Sequence, residues 1–168
     1  MRVLFHTEQL NFRGTTNSIF EYARYNQEIL GNESIIIFDE SAPMGVDVGS
    51  HIDVVGEIKK RFPVIVYSSE EQLNKIAEGY DFCYSQRAGR INDDLTKRKN
   101  PIVTSTRFGV HCVFQWYDPH GDVYAYISEW LANNVAKTYG VDTVPPHVPY
   151  IVDLPEANKD FREQYNLS

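Results

Sequence analysis

Short apolar runs and longer amphipathic stretches alternate along most of the chain. Residues 34–38 are apolar without alternation, which is typical of a strand covered on both faces. Further strands are predicted at 3–5, 63–67, 80–85, 101–105, 124–128 and 148–152. Helices are predicted between them, first from a cap at Thr15 or Thr16 to Gly31, then at 54–61, 69–78, 129–139 and 156–165.

Strands that alternate with helices predict an α/β domain with a doubly wound, mostly parallel sheet and helices on both faces. The length of 168 residues fits one domain spanning 1–168. Ligands of such sheets sit beyond the carboxyl ends of the strands. We therefore expect the loops at 7–14, 86–99 and 106–122 to converge on one edge.

The turn after the first strand carries a glycine between arginine and threonine, in the segment Arg13-Gly14-Thr15-Thr16. A glycine at a helix start lets a phosphate approach the amide groups of the first turn. The segment has neither the GxGxxG nor the GxxxxGK[ST] spacing, so no dinucleotide fingerprint or P-loop is predicted. A turn glycine followed by a structural helix cap is the alternative interpretation.

Arginines are concentrated in the loops that should meet at this edge, at Arg13, Arg87, Arg90 and Arg107. Guanidinium groups match the oxygens of phosphates and carboxylates, which favours an anionic ligand. Each arginine can instead form a solvated ion pair with a nearby carboxylate such as Glu8.

Histidines and aromatic residues add candidate chemistry after the strand predicted at 101–105. His111 is expected just past the end of that strand, where it can donate to a sugar hydroxyl or move a proton, and His6 and His120 are lesser candidates. Phe114, Trp116 and Tyr117 alternate with polar residues, as carbohydrate recognition requires. Structural histidines and a loop packed on its own sheet are the alternatives.

The formal net charge of −7 argues against nucleic acid or an anionic membrane as partner. No apolar run approaches the ~20 residues of a membrane span, and no basic and apolar leader precedes the first strand. Cys83 and Cys112 lack zinc-site spacing, which favours free thiols and a cytoplasmic location.

Three segments together resemble the N-terminal, Rossmann-like half of a two-domain GT-B glycosyltransferase of the retaining, nucleotide-sugar-dependent type (glycosyltransferase family 4-like). They are the glycine loop at Arg13-Gly14-Thr15-Thr16, the passage that ends in Val110-His111, and Tyr126-Ile127-Ser128-Glu129-Trp130-Leu131-Ala132 followed by Pro149-Tyr150-Ile151-Val152-Asp153. Tyr150 and Ile151 stand where the family usually has asparagine and glycine.

The resemblance implies that the chain is the acceptor-side half of an enzyme that transfers a sugar from a nucleotide diphosphate sugar, with no obligatory metal or further cofactor. A C-terminal donor-binding half would be the missing partner, so this chain alone is expected to be inactive. Arg13, Gly14 and Thr15 would face the donor phosphates, and His111 would face the transferring sugar as the catalytic residue. The expected acceptor-binding residues are His6, Glu8, Arg87, Arg90, Arg107, Trp116, Tyr117 and His120.

Two other functions remain open from the sequence. A sugar-nucleotide epimerase of the same architecture would place His111 and the arginines in the same cleft. A non-catalytic module that recognises a glycan or a protein partner would use the aromatic segment 114–117 instead.

Overall fold

The computed structural model describes residues 1–39, 49–93 and 98–152. Six parallel strands form one sheet in the order β3-β2-β1-β4-β7-β8. These strands are β1 (Arg2–Thr7), β2 (Glu33–Asp39), β3 (Val64–Tyr67), β4 (Phe82–Arg87), β7 (Arg107–Cys112) and β8 (Val123–Tyr126). A separate antiparallel pair is formed by β5 (Asn92–Asp93) and β6 (Arg98–Lys99).

Four helices pack on the two faces of the sheet, namely α1 (Gly14–Glu28), α2 (Ile52–Arg61), α3 (Glu70–Ala77) and α4 (Glu129–Tyr139). One apolar cluster joins α1 and α2 to alternate residues of β1 and β2, among them Phe5 and Ile36. A second cluster joins α3 and α4 to the residues between these, among them Leu4 and Ile37. The doubly wound α/β fold with helices on both faces is therefore confirmed.

The strand order reverses direction beside β1, because β2 and β3 lie on one side of it and β4, β7 and β8 lie on the other. Loops that leave β1 and β4 consequently diverge toward opposite faces and open a crevice at the carboxyl ends of these two strands. This crevice positions the candidate site.

Local sequence signals account for most helix ends. Ser69 and Ser128 cap α3 and α4 through bonds from the backbone amides of Gln72 and Leu131, and Gly140 ends α4 in the left-handed region with φ of 64°. The start of α1 differs from the prediction. Arg13 is its N-cap residue and offers no side-chain cap.

The strand expected at 101–105 is wrong, because β7 begins six residues later, at Arg107. Residues 101–105 instead run along α3, where the Asn74 side chain donates to Ile102 O and accepts from the Thr104 amide. Of the loop predicted at 106–122, residues 107–112 instead form β7, and 113–122 connect β7 to β8 without a helix or strand. Cys112, expected in that loop, lies buried at the end of β7.

The strand expected at 148–152 is also wrong, since only His147 forms a single parallel bridge, to Tyr126. The helix expected at 156–165 lies outside the described residues. In the ranges that the structure covers, no helix is long and apolar enough to cross a membrane.

Gly121 holds the turn between β7 and β8 in a conformation that a side chain would disrupt. Its φ is +78°, and an added Cβ would lie 2.7 Å from Phe108 O. Gly31 also has a positive φ of +65°, but there an added Cβ would meet nothing within 4 Å.

We expect Gly121→Ala to destabilise the fold more than Gly31→Ala does, because only the first adds a clash with backbone to the cost of the left-handed conformation. Urea unfolding should give a loss of ~1 kcal/mol for Gly31→Ala and ~2–4 kcal/mol for Gly121→Ala. Equal losses would show that the turn relaxes freely.

Candidate functional site

A polar cavity of about 770 Å³ opens at the carboxyl ends of β1 and β4. Its wall combines the β1–α1 loop, the end of β4, the residues after β7 and the segment after α4. The lining residues are Thr7, Glu8, Gln9, Arg13, Gly14, Thr15, Gln86, Arg87, Ala88, Asn100, Val113, Phe114, Ile127 and Tyr150. The convergence expected for 7–14 and for the start of 86–99 is therefore observed.

The β1–α1 loop is held by hydrogen bonds that leave the first turn of α1 at the cavity wall. The Asn11 amide donates to Thr16 Oγ1 at 3.0 Å, and the Arg13 amide donates to Asn11 Oδ1 at 3.1 Å. Thr16 thus stabilises the loop rather than capping the helix. An added Cβ on Gly14 would meet nothing within 4 Å, so the space beside the first turn is open to an anionic group.

A buried polar cluster lies beneath the cavity, made of His6, Tyr67, Ser85 and Arg87. His6 Nδ1 is 2.7 Å from Ser85 Oγ, and His6 Nε2 is 2.8 Å from Tyr67 Oη. Arg87 Nε donates to Ser85 Oγ at 3.0 Å, and Arg87 Nη2, which can only donate, lies 3.4 Å from His6 Nδ1, so Nδ1 is an acceptor. The network therefore assigns the proton of neutral His6 to Nε2, from which it is donated to Tyr67.

The charge of Arg87 shapes the protonation of this buried polar cluster. Burial, reinforced by the Arg87 charge, lowers the pKa of His6 well below its ordinary value of 6.5. Burial also lowers the pKa of Arg87 itself, and the nearby Glu8 carboxylate opposes that shift. Since His6 and Arg87 are only 1% and 3% exposed, their side chains support the cavity floor, and Pro101 O accepts a further bond from Arg87.

His111 lies within β7, so its expected position beyond a strand end is wrong. Its Nε2 donates to Val148 O at 2.8 Å, and its Nδ1 lies 2.6 Å from Tyr84 Oη. Burial lowers its pKa, although the bond to Val148 opposes the shift. Both ring nitrogens are therefore engaged inside the protein, and the ring makes an edge contact with Tyr150.

Arg107 does not join the other arginines. It is the first residue of β7 and pairs with Phe82, the first residue of β4. It therefore lies at the amino-terminal ends of the strands, opposite the cavity. The expectation that Arg107 shares the site is therefore wrong, because the late start of β7 moves it from a strand exit to a strand entrance.

The remaining residues expected at the site are packed against the protein outside the cavity lining. Arg90 stacks on Trp116 with its Cζ 3.3 Å from the ring centroid, and Tyr117 packs on Tyr124 and Tyr139. His120 packs on Phe108 and Tyr124. Of the aromatic segment, only Phe114 reaches the cavity, where it is 59% exposed.

Gln86 and Tyr150 are cavity residues that the sequence analysis did not single out. Gln86 Nε2 donates to Ser18 Oγ in α1 at 3.1 Å, which ties the end of β4 to that helix. Burial raises the pKa of Tyr150 to about 12, and a hydrogen bond with Gln86 opposes the shift. The position of Gln86 at the end of a predicted strand was an available signal, whereas that of Tyr150 depends on the fold of 148–150.

No protein-family model matches the chain, and neither a curated protein nor a solved structure matches it. The site is therefore interpreted from its own geometry. Across 1–39, 49–93 and 98–152, no group of three or more His, Cys, Asp or Glu side chains is placed to hold a metal ion.

We expect the free energy of unfolding to decrease as the pH falls below about 6.5, because burial lowers the pKa of His6, His111 and His120 in the folded state. Below pH 6.5 the unfolded chain binds more protons than the folded chain. The full contribution of these histidines to the free energy of unfolding is therefore present only above pH 6.5. Below pH 6.5, each of these histidines lowers the free energy of unfolding by up to ~1.4 kcal/mol for every pH unit. Urea unfolding between pH 7 and 5 measures this slope.

His6→Gln should reduce the slope by the contribution of one proton. His147→Gln, at an exposed position, is the control for a histidine-to-glutamine change, and the slopes of the two variants are compared directly. An unchanged slope in His6→Gln would contradict the assignment of a neutral His6.

Proposed function

We propose that this chain is the acceptor-side half of a glycosyltransferase that uses a nucleotide diphosphate sugar. The observation that carries the proposal is the polar cavity at the β1/β4 crevice, with Gly14 and the first turn of α1 in its wall. Doubly wound sheets bind ligands at such a crevice, and a helix N-terminus favours phosphate oxygens. The resemblance at 13–16, 110–111 and 126–132 supplies the reaction class.

The cavity wall offers a division of roles. Arg13, Gly14 and Thr15 lie at the first turn of α1, where amide groups and the positive end of the helix dipole stabilise a leaving diphosphate. Glu8 and Tyr150 provide acceptors and donors for sugar hydroxyls on the same wall. A leaving diphosphate needs donors from both walls of a cleft, so the second half of the enzyme is required for turnover.

His111 acts on this site through the segment at 148–150 in the arrangement described here. Its direct role toward the transferring sugar stays a prediction, since it would require release of Val148 O or Tyr84 Oη. His6 and Arg87 belong to the buried cluster and contribute by fixing the ends of β1 and β4.

We expect the chain to bind UDP, GDP or ADP weakly, with amide shifts concentrated at Gly14 and Thr15 in a nuclear magnetic resonance titration. Gly14→Val should abolish these shifts, because the added methyl groups occupy the open space where a phosphate approaches. Stability should change by less than ~1 kcal/mol, since an added Cβ meets no neighbour there.

Gly56→Val is the matched control, because Gly56 is exposed on α2 and an added Cβ there also meets nothing within 4 Å. The control should leave the shifts unaltered. Tight binding of a nucleoside diphosphate, or shifts that persist in Gly14→Val, would contradict the proposed phosphate position.

A non-catalytic glycan-binding module is a second candidate, favoured by the exposure of Phe114 at the cavity rim. An exposed aromatic face can stack on a sugar ring. This function predicts that oligosaccharide binding is unaffected by added nucleotide and by His111→Ala.

In a glycan array, we expect Phe114→Ala to lose at least tenfold in oligosaccharide affinity if the glycan lies at the cavity rim. Trp130→Ala removes an aromatic residue that is 72% exposed on α4 and should retain binding.

A sugar-nucleotide epimerase would instead convert a radiolabelled sugar nucleotide without any acceptor, and product analysis of the whole parent protein separates that activity from transfer.

A further inference from the structure

The segment 146–150 crosses from the edge strand β8 toward α1. Tyr126 in β8 holds its first part, because the Tyr126 amide donates to Pro146 O at 2.9 Å and Tyr126 O accepts from the Val148 amide at 2.8 Å. Beyond this point the backbone leaves the sheet. The next two carbonyl groups, those of Val148 and Pro149, accept hydrogen bonds from side chains of the sheet and of α1 instead.

Three side chains hold these two carbonyl groups, and we call them the carbonyl clamp: Tyr22 of α1, Tyr84 of β4 and His111 of β7. Tyr22 Oη donates to Pro149 O at 2.6 Å. His111 Nε2 lies 2.8 Å from Val148 O, which can only accept, so Nε2 carries the proton. His111 Nδ1 then accepts from Tyr84 Oη at 2.6 Å, and burial keeps this phenol neutral by raising its pKa well above the ordinary value of 10.0. Each polar atom of the clamp therefore has a defined role as donor or acceptor.

The rings of the carbonyl clamp also pack on one another and on Tyr150. The Tyr22 and Tyr84 ring centroids lie 5.5 Å apart, and those of Tyr84 and His111 lie 5.8 Å apart. The His111 ring makes its edge contact with Tyr150 at 5.9 Å, and His111 is only 3% exposed. Aromatic pairs at these separations attract one another, and burial strengthens the hydrogen bonds beside them. The residue that holds Val148 thus also packs directly against Tyr150.

Tyr150 reaches the polar cavity beside the first turns of α1. Gln86, which also lines the cavity, donates from Nε2 to Ser18 Oγ at 3.1 Å. Its hydrogen bond with Tyr150 lowers the pKa of that phenol against the effect of burial, so the bond is donated to the phenol oxygen and leaves the phenol proton for another acceptor. Ser18 follows Gly14 by four residues and lies on the same face of α1, ~6 Å along its axis. Gln86 therefore places the Tyr150 hydroxyl about one helical turn from the position proposed for the phosphate.

We propose that the carbonyl clamp fixes Tyr150 as a hydroxyl donor in the wall of the polar cavity, and that Tyr150 there donates to an oxygen atom of the sugar part of the ligand. The clamp holds the two carbonyl groups that precede Tyr150, so the loss of either bond gives this backbone freedom to move. Tyr22, Tyr84 and His111 are positioning residues in this arrangement, and Tyr150 determines specificity through its contact with the sugar. The positioning follows from contacts within the chain, whereas the ligand contact rests on the proposed function.

The position of Tyr150 is measurable without a ligand. In nuclear magnetic resonance spectra of the chain, we expect nuclear Overhauser effects between the Tyr150 ring and the side-chain amide of Gln86. Tyr22→Phe removes only the hydroxyl that holds the segment and should weaken these effects at least about twofold, because a hydrogen bond of ordinary strength is lost. Tyr25→Phe removes a hydroxyl from the same helix and is the matched control, which should leave the effects unaltered. Unweakened effects in Tyr22→Phe would overturn its role in the clamp.

His111 allows a test by conservative replacement. A glutamine side chain offers an amide donor and a carbonyl acceptor, whereas leucine offers neither. His111→Leu should therefore weaken the Overhauser effects between Tyr150 and Gln86, and His111→Gln should restore most of their intensity. Both variants remove the ring that packs on Tyr150, so equal weakening would show that ring packing alone positions Tyr150 and would overturn the role of the hydrogen bonds. Tyr22→Phe decides the same question if His111→Leu does not fold.

The ligand contact is tested with two nucleotides and their sugar derivatives, UDP with UDP-glucose and GDP with GDP-mannose. Tyr150→Phe should weaken binding of the sugar nucleotide at least about fivefold, by the loss of one hydrogen bond, and leave binding of the nucleotide unaltered. Tyr139→Phe, on α4, is the control and should change neither affinity. An equal loss for nucleotide and sugar nucleotide, or no loss for either, would overturn the sugar contact.

The outcomes separate this proposal from the transferase proposal. If none of these ligands binds the chain, the proposed function and the sugar contact are both overturned, and the spectra without ligand still decide the clamp. If the ligands bind but the Overhauser effects do not respond to Tyr22→Phe or His111→Leu, the clamp is overturned and the proposed function stands.

Discussion

Parallel pairing of β1 with both β2 and β4 is the constraint on which the rest of the structure depends. Parallel neighbours cannot be joined by a tight turn, so each connection crosses one face of the sheet, and the three crossovers from β1 to β4 carry the helices α1, α2 and α3. The chain builds outward from β1 in one direction through β3 and then returns to build in the other direction through β8. The crevice, the helix start at Gly14 and the ends of β1 and β4 are placed together by this one reversal.

A buried polar cluster beneath the crevice is a second consequence of that reversal. Polar side chains are buried where the ends of β1 and β4 meet, and buried polar groups are tolerated only when they are hydrogen-bonded. His6, Ser85 and Tyr67 satisfy one another, and Arg87 bonds to Ser85 and to Pro101 O. His6 and Arg87, which the sequence suggested as ligand-binding residues, thus form part of the cavity floor.

Much of the fold is predictable from hydrophobic periodicity and from the residues that begin and end helices. The helix at 129–139 has the predicted bounds, because Ser128 and Gly140 are strong end signals, and the buried strands around 34–38 and 82–85 lack alternation. The sequence did not predict β7, because the apolar segment 101–105 just before it was assigned as the strand instead. Residues 101–105 have strand-like side chains, yet Asn74 satisfies their backbone and Val103 is buried against the α3 side.

The features that distinguish β7 are tertiary. Gly109 leaves room for the Phe82 ring, whose Cζ would lie only 2.5 Å from an added Cβ, and no local pattern reveals that neighbour. The candidate site shows the same contrast between features that follow from the sequence pattern and features that depend on tertiary packing. The sequence predicted the glycine loop and the meeting of 7–14 with the end of β4, because both follow from strand order. The inward burial of His6 and Arg87, the displacement of Arg107 and the arrival of Tyr150 depend on side-chain packing between distant segments.

The stack of Arg90 on Trp116 gives the protein an internal optical probe. The chain has two tryptophans, and the other one, Trp130, is 72% exposed on α4. Indole emission depends on its immediate surroundings, so movement of the loop that carries Arg90 alters the Trp116 signal against a solvent-like background from Trp130. Replacing Trp130 with Phe would leave a single reporter beside the β4 exit, and rearrangement of that loop could then be followed by fluorescence without any added label.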